Sequence, residues 1–177
     1  MRYLARPIME LNVLPNPWYS DGLQFTCTQC GNCCTGEPGF VWISEREIKR
    51  LAKYLNVSIE TVRDNHCRKI GDRWALQERR NPIHGGHDCV FLKDDNHGRR
   101  SCSVYPARPL QCRTWPFWPG NLASQKAWNY AARRCHGMNT GRTFSKTEIE
   151  SLQDCETWPK NPPTSDHSLT QPPADIG

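Results

Sequence analysis

The stretch Cys27-Thr28-Gln29-Cys30-Gly31-Asn32-Cys33-Cys34 places four thiols within eight residues. Two-residue gaps let a tight turn aim successive sulfurs at one centre, which is why this spacing recurs in zinc and iron–sulfur sites. Gly31 suits the backbone curvature of such a loop. Thiols this dense point to a metal site rather than to ordinary buried cysteines. The adjacent pair Cys33 and Cys34 adds a constraint, because neighbouring side chains diverge in most backbone conformations. The two are therefore expected to serve different centres, or one ligates while the other stands behind it or stays reactive.

The remainder of the chain supports a site that stabilises a small core. At 177 residues it fits one domain with tails. Only 37% of residues are hydrophobic and the mean hydropathy is −0.75, so the apolar area available for burial is modest. Ten cysteines supply an alternative, since cross-links by metal or disulfide replace core area in core-poor domains. Disulfides need an oxidising compartment. Residues 1–20 contain Pro7, Glu10, Asn12, Pro15 and Pro17 with no continuous apolar stretch, which does not read as a signal peptide. No apolar run approaches the roughly 18 residues of a spanning helix, so a membrane protein is disfavoured. A reducing cytoplasm is the expected location, and there clustered cysteines bind metal or act in catalysis. The formal charge of +5 does not argue for nucleic acid, because the basic residues form no tract and metal-bound thiolates would offset them.

Residues 1–22 are rich in proline and lack periodicity, and read as an extended arm packed on a domain spanning 23–158. Phe40, Val41, Trp42 and Ile43 form a short apolar run that reads as strand or core. Ser44 and Glu47 make a capping box ahead of Ile48, Leu51, Ala52 and Leu55 at helical spacing. A second helix is expected from Ser58, with Ile59 and Val62 facing inward. A hairpin follows, its turn supplied by Gly71-Asp72 and its second strand by residues 74–77. Residues 81–120, dense in Gly, Pro, Cys and His, cannot fold by periodic burial alone. Residues 122–134 are compatible with one helix, and Ser145 with Glu148 caps another before Ile149 and Leu152. Residues 159–177 have almost nothing to bury and read as a disordered tail. The expected fold is α+β: a small irregular single domain with a few helices and short strands, stapled by a multi-cysteine metal site.

Four further cysteines, Cys89, Cys102, Cys112 and Cys135, lie downstream beside turn-forming or polar residues. Cys89-Val90-Phe91-Leu92 reads as a thiol opening an apolar strand. Cys102-Ser103-Val104-Tyr105-Pro106-Ala107-Arg108-Pro109-Leu110-Gln111-Cys112-Arg113 sets two thiols around an arginine–proline turn. These features, with the CxxCxxCC opening and the final Cys135-His136-Gly137, resemble the YkgJ-type cysteine-cluster family over residues 25–137, a family described as zinc- or iron-chelating. The resemblance implies that Cys27, Cys30, Cys33, Cys34, Cys89, Cys102, Cys112 and Cys135 are the metal-binding set. Some members are labelled iron–sulfur oxidoreductases, and a similar cluster occurs in the flagellin lysine methylase. The sequence departs from the family pattern at Pro106, Trp115 and His136, leaving the thiols intact. Cys67 and Cys155 fall outside it and are expected to be ordinary thiols.

Among the other side chains, Arg108 and Arg113 are expected to offset the charge of the thiolates, with binding of an anionic substrate group as the alternative. His84 and His87 read as a polar loop, His136 as a neighbour of a ligand, and Trp115, Phe117 and Trp118 as core around the site. Eight thiolates could hold two tetrahedral zinc ions, two four-cysteine iron–sulfur clusters, or one cluster with cysteines to spare. The run of three cysteines at two-residue spacing resembles the start of a ferredoxin-type motif, and although the fourth cysteine of that motif is absent ahead of Pro38 and Gly39, it tips the balance to an iron–sulfur cluster, of the four-iron type, over Zn²⁺. The sequence holds no nucleotide fingerprint, Walker loop or Ser-His-Asp ordering. The expected function is a metal-binding cysteine-cluster protein in electron transfer or metal handling, with a protein partner still to be identified. The alternatives are an iron–sulfur-dependent oxidoreductase or protein-modifying enzyme, and a zinc-stapled interaction module.

Overall fold

The computed structural model describes residues 16–82, 85–94 and 99–153. Strand β1 (Leu23–Phe25) precedes the thiol loop, β2 (Thr35–Gly36) follows it, and β3 (Trp42–Ile43) leads into helices α1 (Glu45–Leu55) and α2 (Ile59–His66). Next come β4 (Cys67–Ile70), β5 (Arg73–Leu76), β6 (Glu78–Arg80), β7 (His87–Cys89), β8 (Leu92–Asp94) and β9 (Arg100–Cys102). The short helices α3 (Leu110–Arg113) and α4 (Pro119–Leu122) lead to α5 (Gln125–Ala132), β10 (Met138–Phe144) and α6 (Lys146–Gln153). The architecture is the expected small α+β domain, with all of its strand pairs antiparallel. Among the described residues no helix is long and apolar enough to cross a membrane.

The regular part begins at Ser44, whose hydroxyl accepts from the Glu47 N–H while the Glu47 carboxylate accepts from the Ser44 N–H at 2.8 Å. This box satisfies free N–H groups at the start of α1. Asn56, in the left-handed conformation at φ 55°, ends the helix. The helix buries Ile48 and Leu51 completely, and α2 buries Val62. Both pack with the sheet β3-β5-β4, in which Gly71-Asp72 turns the hairpin as expected. Together with Phe91, Val104 and Ala107 they form a first core.

A second core gathers Leu23, Phe117, Leu122, Trp128, Met138 and Ile149. It depends on β1 pairing with β10, where Leu23 faces Phe144 across 121 positions of sequence. Of the N-terminal arm only residues 16–22 are described, and Trp18 packs against this core while its indole donates to the Leu122 carbonyl at 2.8 Å. The tail at 159–177, His84 and Cys155 lie outside the described residues.

Two local expectations are corrected. The helix expected at 122–134 is found shortened to α5, because Ser124 takes the extended N-cap conformation and its hydroxyl accepts from the Ala127 N–H, so the helix starts there. Nor does Cys89 open a strand. It ends β7, paired to β6, and the chain turns through Val90 and Phe91 before Leu92 opens β8 against β9. The apolar run 89–92 thus serves two pairings and the first core at once.

Candidate metal centre

Gly31 and Gly137 let the thiol loop sit where it does. Gly31 is left-handed at φ 72°, and a single 3-10 turn at Asn32–Cys34 follows, closed by Cys34 N–H donating to the Gly31 carbonyl at 2.9 Å. Asn32 ties this turn to two distant segments: its side chain accepts from Arg100 at 2.6 Å and donates to the Arg134 carbonyl at 2.8 Å. At the other end of the loop, Thr26 N–H donates to the Gly137 carbonyl at 3.0 Å. A Cβ on Gly137 would lie 2.1 Å from the Thr26 carbonyl oxygen, so only glycine admits this approach. The consequence is that Cys27 and Cys135, each one or two residues from this contact, are brought together.

The other thiols are delivered by pairing and by capping. β2 follows Cys34 immediately and pairs with β7, which ends in Cys89. Cys102 ends β9, and Cys112 lies in α3. α3 starts after Pro109 with no side-chain cap of its own; instead the buried Glu47 carboxylate accepts from the Leu110 N–H at 2.6 Å. Arg50 of α1 donates to the carbonyls of Ala107 and Arg108. The first core therefore holds the segment that carries Cys112.

All eight thiols, Cys27, Cys30, Cys33, Cys34, Cys89, Cys102, Cys112 and Cys135, line one cavity of about 40 Å³ at the seam between the two cores, with Phe91, Val104 and Trp115 among its apolar walls. Cys33 and Cys34 do not diverge as neighbours usually do: the 3-10 turn brings their sulfurs to 3.9 Å. Among the described residues no group of three or more Cys, His, Asp or Glu side chains is arranged to hold a metal ion as it stands. The thiols ring a hollow instead of closing on a point.

Electrostatics explain what such a ring requires. Burial, aided by the neighbouring thiols, pushes the Cys89 thiol up to about 11 and Cys112 well above its ordinary value. Cys34 is raised by its hydrogen bond with Cys33 and by burial, while Cys33, as the partner of that bond, is lowered to about 7. The Arg108 guanidinium favours ionisation of Cys33, Cys102 and Cys112. One guanidinium does not balance eight thiolates, and a cationic group at their centre would relieve both burial and repulsion. The donor set, all soft sulfur, fits zinc or an iron–sulfur cluster.

The two arginines separate. Arg108 lines the cavity and stacks on Tyr105, with its Cζ 3.6 Å from the ring centroid and its Nε donating to the Tyr105 carbonyl at 3.0 Å. Arg113 is exposed, does not line the cavity, and acts on Arg50. His136 is exposed and off the cavity. His87 lines a neighbouring cleft of about 290 Å³ that shares Cys33, Cys34, Cys89 and Cys135 with the thiol cavity. Cys67 is buried in the first core, away from the cavity. Phe117 is core, as expected, but Trp115 and Tyr105 do more than fill space. A hydrogen bond to the Cys27 thiol raises the Tyr105 phenol, and the Trp115 indole donates to the Cys135 sulfur at 3.4 Å. The available signal was chemical: a half-buried indole or phenol seeks a polar partner, and thiols are what this segment offers.

Residues 26–136 match the family model CxxCxxCC, described as "Putative zinc- or iron-chelating domain". The chain is also similar to the uncharacterized protein MJ0661 of Methanocaldococcus jannaschii, at 27% identity over 100 residues, which cover 56% of this chain and 48% of that one. The chain thus spans about half the length of this curated relative. No solved structure matches.

Proposed function

Because the chain belongs to the CxxCxxCC family of zinc- or iron-chelating domains, we propose that it carries iron–sulfur used in electron transfer or metal handling, with the ligands drawn from Cys27, Cys30, Cys33, Cys34, Cys89, Cys102, Cys112 and Cys135, as two four-cysteine clusters or one with cysteines to spare. The observation that carries this reading is that all eight thiols line one apolar cavity. That is twice the four thiolates one tetrahedral ion takes, which calls for more than one metal atom. Such a cluster would supply one-electron transfer. The protein's part is to exclude water with Phe91, Val104 and Trp115, and to set a positive charge, Arg108, beside the sulfurs. A reducing cytoplasm, where thiols stay free, suits this use.

One observation favours the second reading, a zinc staple. The 3.9 Å between the Cys33 and Cys34 sulfurs is close to the roughly 3.8 Å separating two ligands on one tetrahedral zinc with bonds of about 2.3 Å. Protein expressed anaerobically is assayed for iron, zinc and acid-labile sulfide per chain, in wild type, Cys30→Ser and Cys112→Ser. Coloured wild-type protein with sulfide stoichiometric to iron, lost in both variants, is expected. Colourless protein with zinc and no sulfide would establish the staple, and full metal in both variants would refute the shared ligand set.

A further inference from the structure

Trp115 has a feature that packing alone does not require. Its indole Nε1 lies 3.4 Å from the Cys135 sulfur with the N–H directed at it. An indole N–H only donates, and Cys135 is nine-tenths buried. The ring is held in place from several sides. Thr114, fully buried, donates its hydroxyl to the Gln111 carbonyl and accepts the Phe117 N–H at 2.8 Å, which fixes the backbone around Trp115. Trp118 stands edge-on against it, with centroids 4.8 Å apart and planes at 85°. Trp115 lines both the thiol cavity and the neighbouring cleft, so the indole forms part of the boundary between them.

We propose that Trp115 is a positioning residue of the metal centre: its indole N–H fixes the orientation of the Cys135 sulfur and takes up part of its charge when metal is bound. This rests on the reading of the cavity as a metal centre. A metal-bound thiolate is a stronger acceptor than a thiol, so the bond strengthens on loading. Partners of this kind set the direction of a ligand's lone pair, and their removal weakens metal retention without removing a ligand.

The test compares wild type, Trp115→Phe and Trp118→Phe, each loaded anaerobically with ¹¹³Cd²⁺, a diamagnetic thiophilic ion. Phenylalanine keeps an aromatic ring at 115 while removing the N–H together with the pyrrole part of the indole, a truncation that Trp118→Phe repeats. Trp118→Phe removes an equivalent N–H that donates to the Gln111 carbonyl rather than to sulfur. Trp115→Phe should release cadmium to a chelator about tenfold faster than wild type, and Trp118→Phe at the wild-type rate. In wild type the Trp115 indole proton should move downfield on loading and show a scalar coupling to ¹¹³Cd through the hydrogen bond, a signature that packing alone would not produce. Release from Trp115→Phe at the wild-type rate, or equal acceleration in both variants, would overturn the proposal and leave the metal centre standing. Wild type that retains no cadmium would refute the metal centre, and the role of Trp115 with it.

Discussion

The unit from β3 through β5 and the loops that carry the thiols are built by different rules. In the first, each element has local cause: Ser44 caps α1, Asn56 ends it, Gly71-Asp72 turns the hairpin, and Ile48, Leu51 and Val62 are wholly buried. In the second, strands of two or three residues and one-turn helices are held by single distant bonds, such as Asn32 to Arg134 or Glu47 to Leu110. The difference teaches where stability comes from. The first region would keep its shape on apolar burial, while the second collects eight thiols without enough core to hold them and relies on what they bind.

Metal removal should break this comparison open, and it has the largest expected effect, since structural metal binding contributes about 10 kcal/mol or more in small domains. After anaerobic chelation, hydrogen exchange should show lost protection at 23–36, 87–94, 99–113 and 135–144, while amides of α1 and β5 stay protected. Simultaneous loss in both regions would mean they form one cooperative unit. Leu51→Ala strikes the other side: a fully buried leucine in the first core, its truncation should cost about 2–5 kcal/mol and leave metal per chain unchanged. Denaturant melts with metal analysis check both parts.

Gly137→Ala probes the seam more gently. Its new methyl group meets the Thr26 carbonyl, so a loss of about 1–3 kcal/mol is expected. Metal retention should fall too, because Cys27 and Cys135 part; an alanine variant with normal metal content would show the contact to be dispensable. Cys67→Ser sharpens the comparison with the smallest effect, about 1 kcal/mol for a hydroxyl in the first core, with metal content unchanged. Burial pushes the Cys67 thiol up to about 11, so in folded wild type at pH 8 it should resist alkylation and react only on denaturation, which mass spectrometry would show.

The same division governs how much the sequence discloses. Both capping boxes, at Ser44 and Ser145, are visible because a cap, its partner three residues on and the apolar stripe lie within one turn or two. The gathering of the eight thiols is foreshadowed by the likeness to the cysteine-cluster family. The pairing of β1 with β10 is hidden, since Met138-Asn-Thr-Gly-Arg-Thr-Phe144 has no alternation and its partner is remote. The helix start at Ser124 is hidden because a serine can cap or continue a helix, and tertiary packing decides. The closeness of Cys33 and Cys34 is hidden for a similar reason, as it depends on the left-handed turn at Gly31. Trp115 reads as core until its N–H is seen against Cys135.

The long reach of the contact between Thr26 and Gly137 has a consequence on the ribosome. Cys27 to Cys34 are made first, and Cys135 is added about a hundred residues later, which at roughly 5–20 residues per second takes about 5–20 s. Between the emergence of Cys34 and that of Cys135 from the ribosome, an interval of the same length, four clustered thiols stand without their final neighbours. Nascent chains therefore pass through a window of exposure to oxidants and stray ions that the finished protein closes, and slower translation lengthens it.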